Sequence, residues 1–252
     1  ERKYYRKILN LAAKNKVFNT YIGKGYYDTI TPAVILRNVL ENPAWYTSYT
    51  PYQAEISQGR LEALLNFQTL VCELTGMEIA NSSLLDEATA AAEAMVMMYN
   101  LRSRKMVKNG VNVVLVDEKM WVQTHDVLKT RATPLGIKLK IKAKNKFEFS
   151  DDVFGVLIQY PNSDGEIINY SELVKEAHEK EIKVAVAADL LSLAILVPPG
   201  DWDADIVFGS SQRFGVPMGY GGPQAAFFAA KEAYKRSMPG RIIGITKDIH
   251  GN

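Results

Sequence analysis

The chain has 252 residues, 47% hydrophobic and 23% charged, which is the composition of a globular protein with a sizeable core. Thirty basic against 28 acidic residues leave a net charge of +2, so bulk electrostatics argue for no nucleic-acid and no membrane partner. A single cysteine, Cys72, excludes an internal disulfide framework and a cysteine metal cluster, and the three histidines show no metal-ligand spacing.

Apolar residues Ile8, Leu9, Leu11, Ala12 and Ala13 predict an opening helix. Thr31-Pro32 predicts a second helix start, with Thr31 as cap and Pro32 in the first turn, running to about Glu41 before Pro43. A tyrosine-rich loop follows from Trp45 to Tyr52, and Ser57 reads as the cap of a long amphipathic helix that Gly76 stops. That start puts Arg60 in a first turn, against the helix dipole, where an anionic partner would explain it: Glu55, or a carboxylate outside the chain.

From there the pattern is α/β. Asp86 to Asn100 is alanine- and methionine-rich helix, Val111 to Val116 a strand, Val122 to about Thr133 a helix, and Ile137 to Ile141 a short strand. Alternating lysines from Lys138 to Lys146 read as a blunted sheet edge. Strands are expected at Val156 to Tyr160, Val184 to Ala187, Ile206 to Phe208 and Ala225 to Ala229, with a helix from Ser171 to Glu179. Strands and helices in alternation predict a mostly parallel sheet covered on both faces.

Ligands in such sheets bind beyond the carboxyl ends of the strands. Three segments fall there: Ser82 to Thr89 before the alanine-rich helix, Asp189 after its strand, and Gly209-Ser210-Ser211-Gln212-Arg213. A helix start can hold a phosphate, a strand-end aspartate can pair with a pyridinium nitrogen, and a later lysine can carry a Schiff base. Here the later position, 24 residues after Asp189, is Arg213, whose guanidinium stays protonated and offers no nucleophilic amine. Asp86 and Glu87 suit a helix start and would repel a phosphate. Asp189 also suits a plain capping role ahead of Leu190 to Ile195.

Gly25-Tyr26-Tyr27, Tyr49-Thr50-Pro51-Tyr52-Gln53, Ile56 to Glu62, Leu84 to Glu87, Ala90 to Met95 and Gly209 to Gly215 together resemble the N-terminal half of glycine decarboxylase. The resemblance covers nearly the whole chain. It implies an aspartate-aminotransferase-like fold, pyridoxal-phosphate fold type I, with an N-terminal helical extension (1–60) before a truncated large domain (61–252). It further implies a non-lysine-bearing half, inactive alone, that supports glycine decarboxylation by a partner half carrying pyridoxal phosphate. The aminomethyl group would pass to lipoylated H-protein, in the cytoplasm or, for a eukaryotic source, the mitochondrial matrix. Carried onto this sequence, Ser83, Leu84, Trp121, Asp189 and Arg213 form a vestigial cofactor pocket. Tyr26, Tyr27, Tyr49, Tyr52, Gln53, Glu55, Gln58 and Arg60 meet the substrate or the partner half. The chain departs from the family's wording at Ala88, commonly glycine, and at Trp121, commonly histidine. Two other readings stand beside this one: a free-standing pyridoxal-phosphate enzyme using Lys231 or Lys247, and a non-catalytic binding module of the same fold.

Overall fold

In the computed structural model of the chain, which describes residues 1–46, 54–247 and 249, every strand of the central sheet except its edges is buried on both faces. Before the sheet come α1 (Arg2–Ala12), α2 (Ala33–Leu40), the short α3 (Pro43–Tyr46) and the long α4 (Ala54–Thr75). There follow β1 (Ile79–Ala80), α5 (Glu87–Asn100), α6 (Arg104–Lys108), β2 (Val113–Asp117), α7 (Val122–Ala132), β3 (Lys138–Lys142) and β4 (Val153–Tyr160). The last elements are α8 (Ser171–Glu179), β5 (Lys183–Ala188), β6 (Ile206–Ser210) and β7 (Ala226–Ala230).

The seven strands lie in the order β1-β7-β6-β5-β4-β2-β3. Strands β3, β2, β4, β5 and β6 run parallel, while β7 is antiparallel to both its neighbours. Apolar runs such as Val153–Tyr160 and Ala226–Ala230 form these strands because β-branched and aromatic side chains fill both faces. One face is closed by α5 and α7 through Met95, Met98 and Leu128, the other by α4 and α8 through Val71, Val174 and Ala177. The alanines of α5 let that helix lie close, and Met98 sits over Gly155, where any added Cβ would meet its sulfur at 3.1 Å. At the β3 edge the lysines are half-exposed, with Lys140 3.5 Å from Asp152, as the alternating pattern predicts.

Several helix starts differ from expectation. Pro32, not Thr31, caps α2, because the Thr31 hydroxyl is drawn away to donate to the Gly215 carbonyl at 2.6 Å. Helix α4 begins at Ala54, so Ser57 lies inside it and Arg60 beyond its first turn. Arg60 therefore does not oppose the dipole. Its guanidinium instead donates to Ala44 O at 3.3 Å and stacks over Trp45 at 5.3 Å. Ser171 is the first helical residue of α8, with Tyr170 in the cap position. Strand β1 and helix α6 were not expected. Tyr49, Tyr52 and Gln53 lie outside the described residues, as do the side chains of Glu55 and Gln58. Cys72 is half-buried against the α4 side of the core, and burial raises its thiol pKa. Among the described residues no helix is long and apolar enough to cross a membrane, and no group of acids, histidines or cysteine is placed to hold a metal ion.

At the amino ends of the parallel strands one carboxylate organises the chain. Asp205 is 2% exposed and accepts from His178 Nε2 at 2.8 Å, Val184 N at 2.8 Å and the Tyr234 hydroxyl at 2.7 Å. Burial pushes its pKa up, but these hydrogen bonds outweigh burial and hold it below the usual carboxylate range. Lys231 closes the cluster at 2.6 Å from Asp203 and 3.7 Å from Asp205. Removing one partner of such a buried set leaves the others unpaired. Asp205→Ala is expected to lower unfolding free energy by about 3–5 kcal/mol, against roughly 0.5 kcal/mol or less for the exposed control Glu176→Ala. Equal midpoints and slopes in urea titrations of the two variants would contradict this.

Candidate functional site

Apart from the lysines of the β3 edge, polar side chains in this sheet are confined to its ends, and the carboxyl end carries a cavity of about 370 Å³. Its wall takes Gln159 from β4, Asp189 after β5, Ser210, Gln212 and Arg213 at and after β6, and Glu87 from the first turn of α5. Two aromatic residues, Tyr27 and Trp121, complete it. Gly209 makes the β6 end possible: a Cβ there would sit 2.2 Å from Ala188 O and 2.7 Å from the Phe227 ring.

The rim segment containing Tyr27 is stitched to the loop after β6. Gln212 Nε2 donates to Tyr27 O at 2.7 Å and to Val216 O at 2.8 Å. Thr29 Oγ1 donates to Val216 O at 3.0 Å, beside the Thr31 bond to Gly215 O. The αL conformation of Gly215, φ 115°, turns those carbonyls towards the threonines.

Arg213 and Asp189 meet here. The guanidinium Nε lies 3.8 Å from Asp189 Oδ1, and its carbon lies 4.2 Å from the Tyr27 ring centroid. Asp189 is also a capping residue, accepting from Leu191 N at 3.1 Å while its carbonyl accepts from Ser192 Oγ at 2.7 Å. At the start of α5, Asp86 caps the helix by accepting from Thr89 N at 2.7 Å, which uses an amide that a phosphate would otherwise take.

Glu87 turns inward. The Gln159 side chain, the Ser210 backbone N–H and the Trp121 side chain act to lower its pKa, yet burial outweighs them and, with Asp189 nearby, raises it to about 7. Oε1 of Glu87 has no protein partner. Tyr27 also has a raised pKa, chiefly from burial.

Of the sequence-predicted pocket residues, Trp121, Asp189 and Arg213 line the cavity. Leu84 lines a neighbouring hollow with Tyr26 and Trp121, and its backbone is tied to Ala226 by bonds of 2.9 and 3.0 Å. Ser83 lies outside both, its carbonyl oxygen facing Gly240. Tyr27 belongs to the cavity, whereas Arg60 sits apart on α4 against Trp45. Sequence reasoning missed Gln159 and the inward turn of Glu87, and it placed Ser210 and Gln212 at the carboxyl end within Gly209–Arg213 without singling them out as pocket residues. A signal existed for Gln159, the one amide in the apolar run Val153–Tyr160 and next to its carboxyl end.

Comparison with known proteins gives a consistent answer. The family model described as glycine cleavage system P-protein matches residues 1–252. Glycine dehydrogenase (decarboxylating) of Bacteroides thetaiotaomicron is 61% identical over 251 residues, covering 100% of this chain and 26% of the relative. The protein of the same name from Synechocystis sp. is 57% identical over 245 residues, covering 97% of this chain and 24% of the relative. The chain thus spans about a quarter of the length of the curated relatives it matches. A crystal structure of glycine decarboxylase (P-protein) of the glycine cleavage system, in inhibitor-bound form, superposes with a TM-score of 0.85 at 34% identity, over 99% of this chain and 56% of that one. Cystathionine gamma-lyase from Lactobacillus plantarum, at 12% identity and a TM-score of 0.52 over 68% of this chain and 43% of that one, shares the fold alone.

The raised pKa of Glu87 has a stability consequence. Its folded-state value of about 7 exceeds its ordinary 4.5, so between these values the folded chain holds a proton that the unfolded chain releases. The folded state is therefore disfavoured as pH rises from about 4.5 to 7, by up to about 3 kcal/mol from this group. Glu87→Gln removes the effect: it should raise the melting temperature more at pH 8 than at pH 5. A shift that is the same at both pH values would refute the assignment.

Proposed function

Because this chain belongs to the glycine cleavage system P-protein family, we propose that it is the non-lysine-bearing half of glycine dehydrogenase (decarboxylating), inactive alone and completed by a lysine-bearing half. The observation that carries this reading is the Arg213–Asp189 pair at the carboxyl end of the sheet. The fold implies pyridoxal phosphate, and the residues present do not fit it. A guanidinium occupies the position of the Schiff-base amine. The aspartate for the pyridinium nitrogen faces that guanidinium and caps Leu191. The Glu87 carboxyl and the Asp86 cap stand at the helix start that would hold the phosphate. Pyridoxal phosphate, glycine decarboxylation and transfer to lipoylated H-protein accordingly belong to the other half of the assembled enzyme.

The N-terminal region supports a missing partner. Helices α1 and α2 contain no buried residue, yet they and the segment between them carry Tyr4 (70% exposed), Phe18 (76%) and Tyr21 (93%). Apolar side chains of that number on one arm are suited to a second surface. Tyr26, Tyr27, Tyr49, Tyr52, Gln53, Glu55, Gln58 and Arg60 are assigned to the contact with that half, and Ser83 and Leu84 remain with the vestigial pocket. The division between arm and sheet domain is assigned to residue 60, within α4.

A free-standing enzyme built on another lysine is disfavoured by position. Lys231 follows β7, which runs antiparallel, and so lies with Asp203 and Asp205 at the amino ends of the parallel strands. Lys247 is exposed and outside the cavity lining.

Two outcomes test the proposal. The chain alone, and its Arg213→Lys variant, should show no glycine–bicarbonate exchange, while co-expression with the remainder of the protein restores it; exchange by either form alone would end the reading. In the assembled enzyme Tyr52→Ala or Arg60→Ala should weaken glycine turnover by about 2 kcal/mol or more, the scale of a buried interface anchor. Unchanged turnover in both would remove these residues from the contact.

A further inference from the structure

The amino ends of the parallel strands border a second hollow, of about 310 Å³, beside the turn from α5 to α6. Four basic side chains line it, and two of them are already paired. His178 and Lys231 face Asp203 and Asp205 in the cluster described above. Arg102 and Lys183 are different: among the described residues neither lies within 4.0 Å of a carboxylate oxygen.

Arg102 is fixed in place without being neutralised. Its Nε donates to Tyr99 O at 2.6 Å, its Nη1 donates to Val111 O, and its guanidinium carbon lies 3.3 Å from the Tyr99 ring centroid. All of these partners are uncharged. Its Nη2 makes no hydrogen bond among the described residues and stays accessible to solvent. Lys183 Nζ, 5.7 Å from the Tyr234 ring centroid, is in the same state. Two acids line the hollow as well. Asp205 is satisfied by His178, Val184 N and Tyr234, and Glu181 Oε2 accepts from the Ser103 hydroxyl at 3.3 Å. Glu181 offsets one of the two free cations, so the hollow suits a monoanion better than a dianion. The remaining wall is apolar, with Met98 and Phe154 buried and Leu101 and Met106 partly so. A bare anion leaves that wall wet, and an amine meets two cations. A carboxylate on a short apolar chain suits both walls.

We propose that this hollow is a non-covalent binding site for a small monocarboxylate bearing a short apolar chain. The carboxylate lies toward Arg102 and Lys183, and the chain against the methionines and Phe154. The site is at the opposite end of the sheet from the Arg213–Asp189 pair and involves no bond making or breaking. Its occupant links the α5–α6 turn to the start of β5.

Hydrogen–deuterium exchange on the intact protein containing this chain resolves the site by peptide. Hexanoate should slow exchange in peptides covering 101–108 and 181–184 in a saturable manner. Hexylamine should not, and acetate or inorganic phosphate should need at least about tenfold more for the same effect. Lys183→Met removes one cation, leaves the bonds of Arg102 in place, and should raise the hexanoate midpoint by about tenfold or more. Arg102→Met should act in the same direction, but it also frees the Tyr99 and Val111 carbonyls. Met106→Asp therefore serves as the second variant: it sets a negative charge on the apolar wall, keeps those bonds, and should raise the midpoint as well. No protection by hexanoate at any concentration would overturn the proposal. Equal protection by hexylamine or by phosphate, or a midpoint unmoved in Lys183→Met or in Met106→Asp, would overturn it too. None of these outcomes depends on whether the other half decarboxylates glycine, because the readout is local exchange and not turnover.

Discussion

A sheet buried on both faces can keep charged groups only at its two ends, and this constraint places the polar groups of its inner strands. Strands β2, β4, β6 and β7 are buried along their entire lengths, and β5 from Val184 onward. Isolated charges inside such layers would be prohibitive, so acids and bases gather beyond the strand termini, where partners are available. At the amino end they form a satisfied cluster around Asp205. At the carboxyl end they form an incompletely satisfied one, with the Glu87 pKa raised to about 7 and three side-chain oxygens unpartnered. Both ends border a hollow, and the contrast is that the first satisfies its buried carboxylate within the chain whereas the second leaves side-chain oxygens unpartnered.

The chemistry of the carboxyl end follows from which side chains stand there. A lysine after β6 would bring an amine that can lose its proton and attack a carbonyl. Arg213 brings a delocalised cation that stacks on Tyr27 and faces Asp189. Arginine at that position offers no nucleophilic amine.

Much of this was legible from residue order. Arg213 after an apolar strand, Asp189 after another and Asp86 at a helix start occupy the positions their neighbours announced, because strand termini and caps are local features. The cap residues were less secure. Thr31, Ser57 and Ser171 all have cap chemistry, but the choice depends on distant demands, such as the Gly215 carbonyl that recruits Thr31. The direction of β7 was not readable, since it is set by pairing with β6 and β1, and β1 has only two residues, too few for any periodicity. Gln159 was hidden inside an apolar run, and the inward turn of Glu87 places it beside residues of β4, β6 and Trp121 that no local pattern brings together.

The central claim, that this half holds no cofactor-bearing lysine, is tested most directly by reductive labelling. The intact protein loaded with pyridoxal phosphate is treated with borohydride, digested, and searched for the pyridoxyl-lysine adduct by mass spectrometry. The adduct should map outside residues 1–252, with Lys24, Lys231 and Lys247 unlabelled. A stoichiometric adduct on any lysine within these residues would contradict the account.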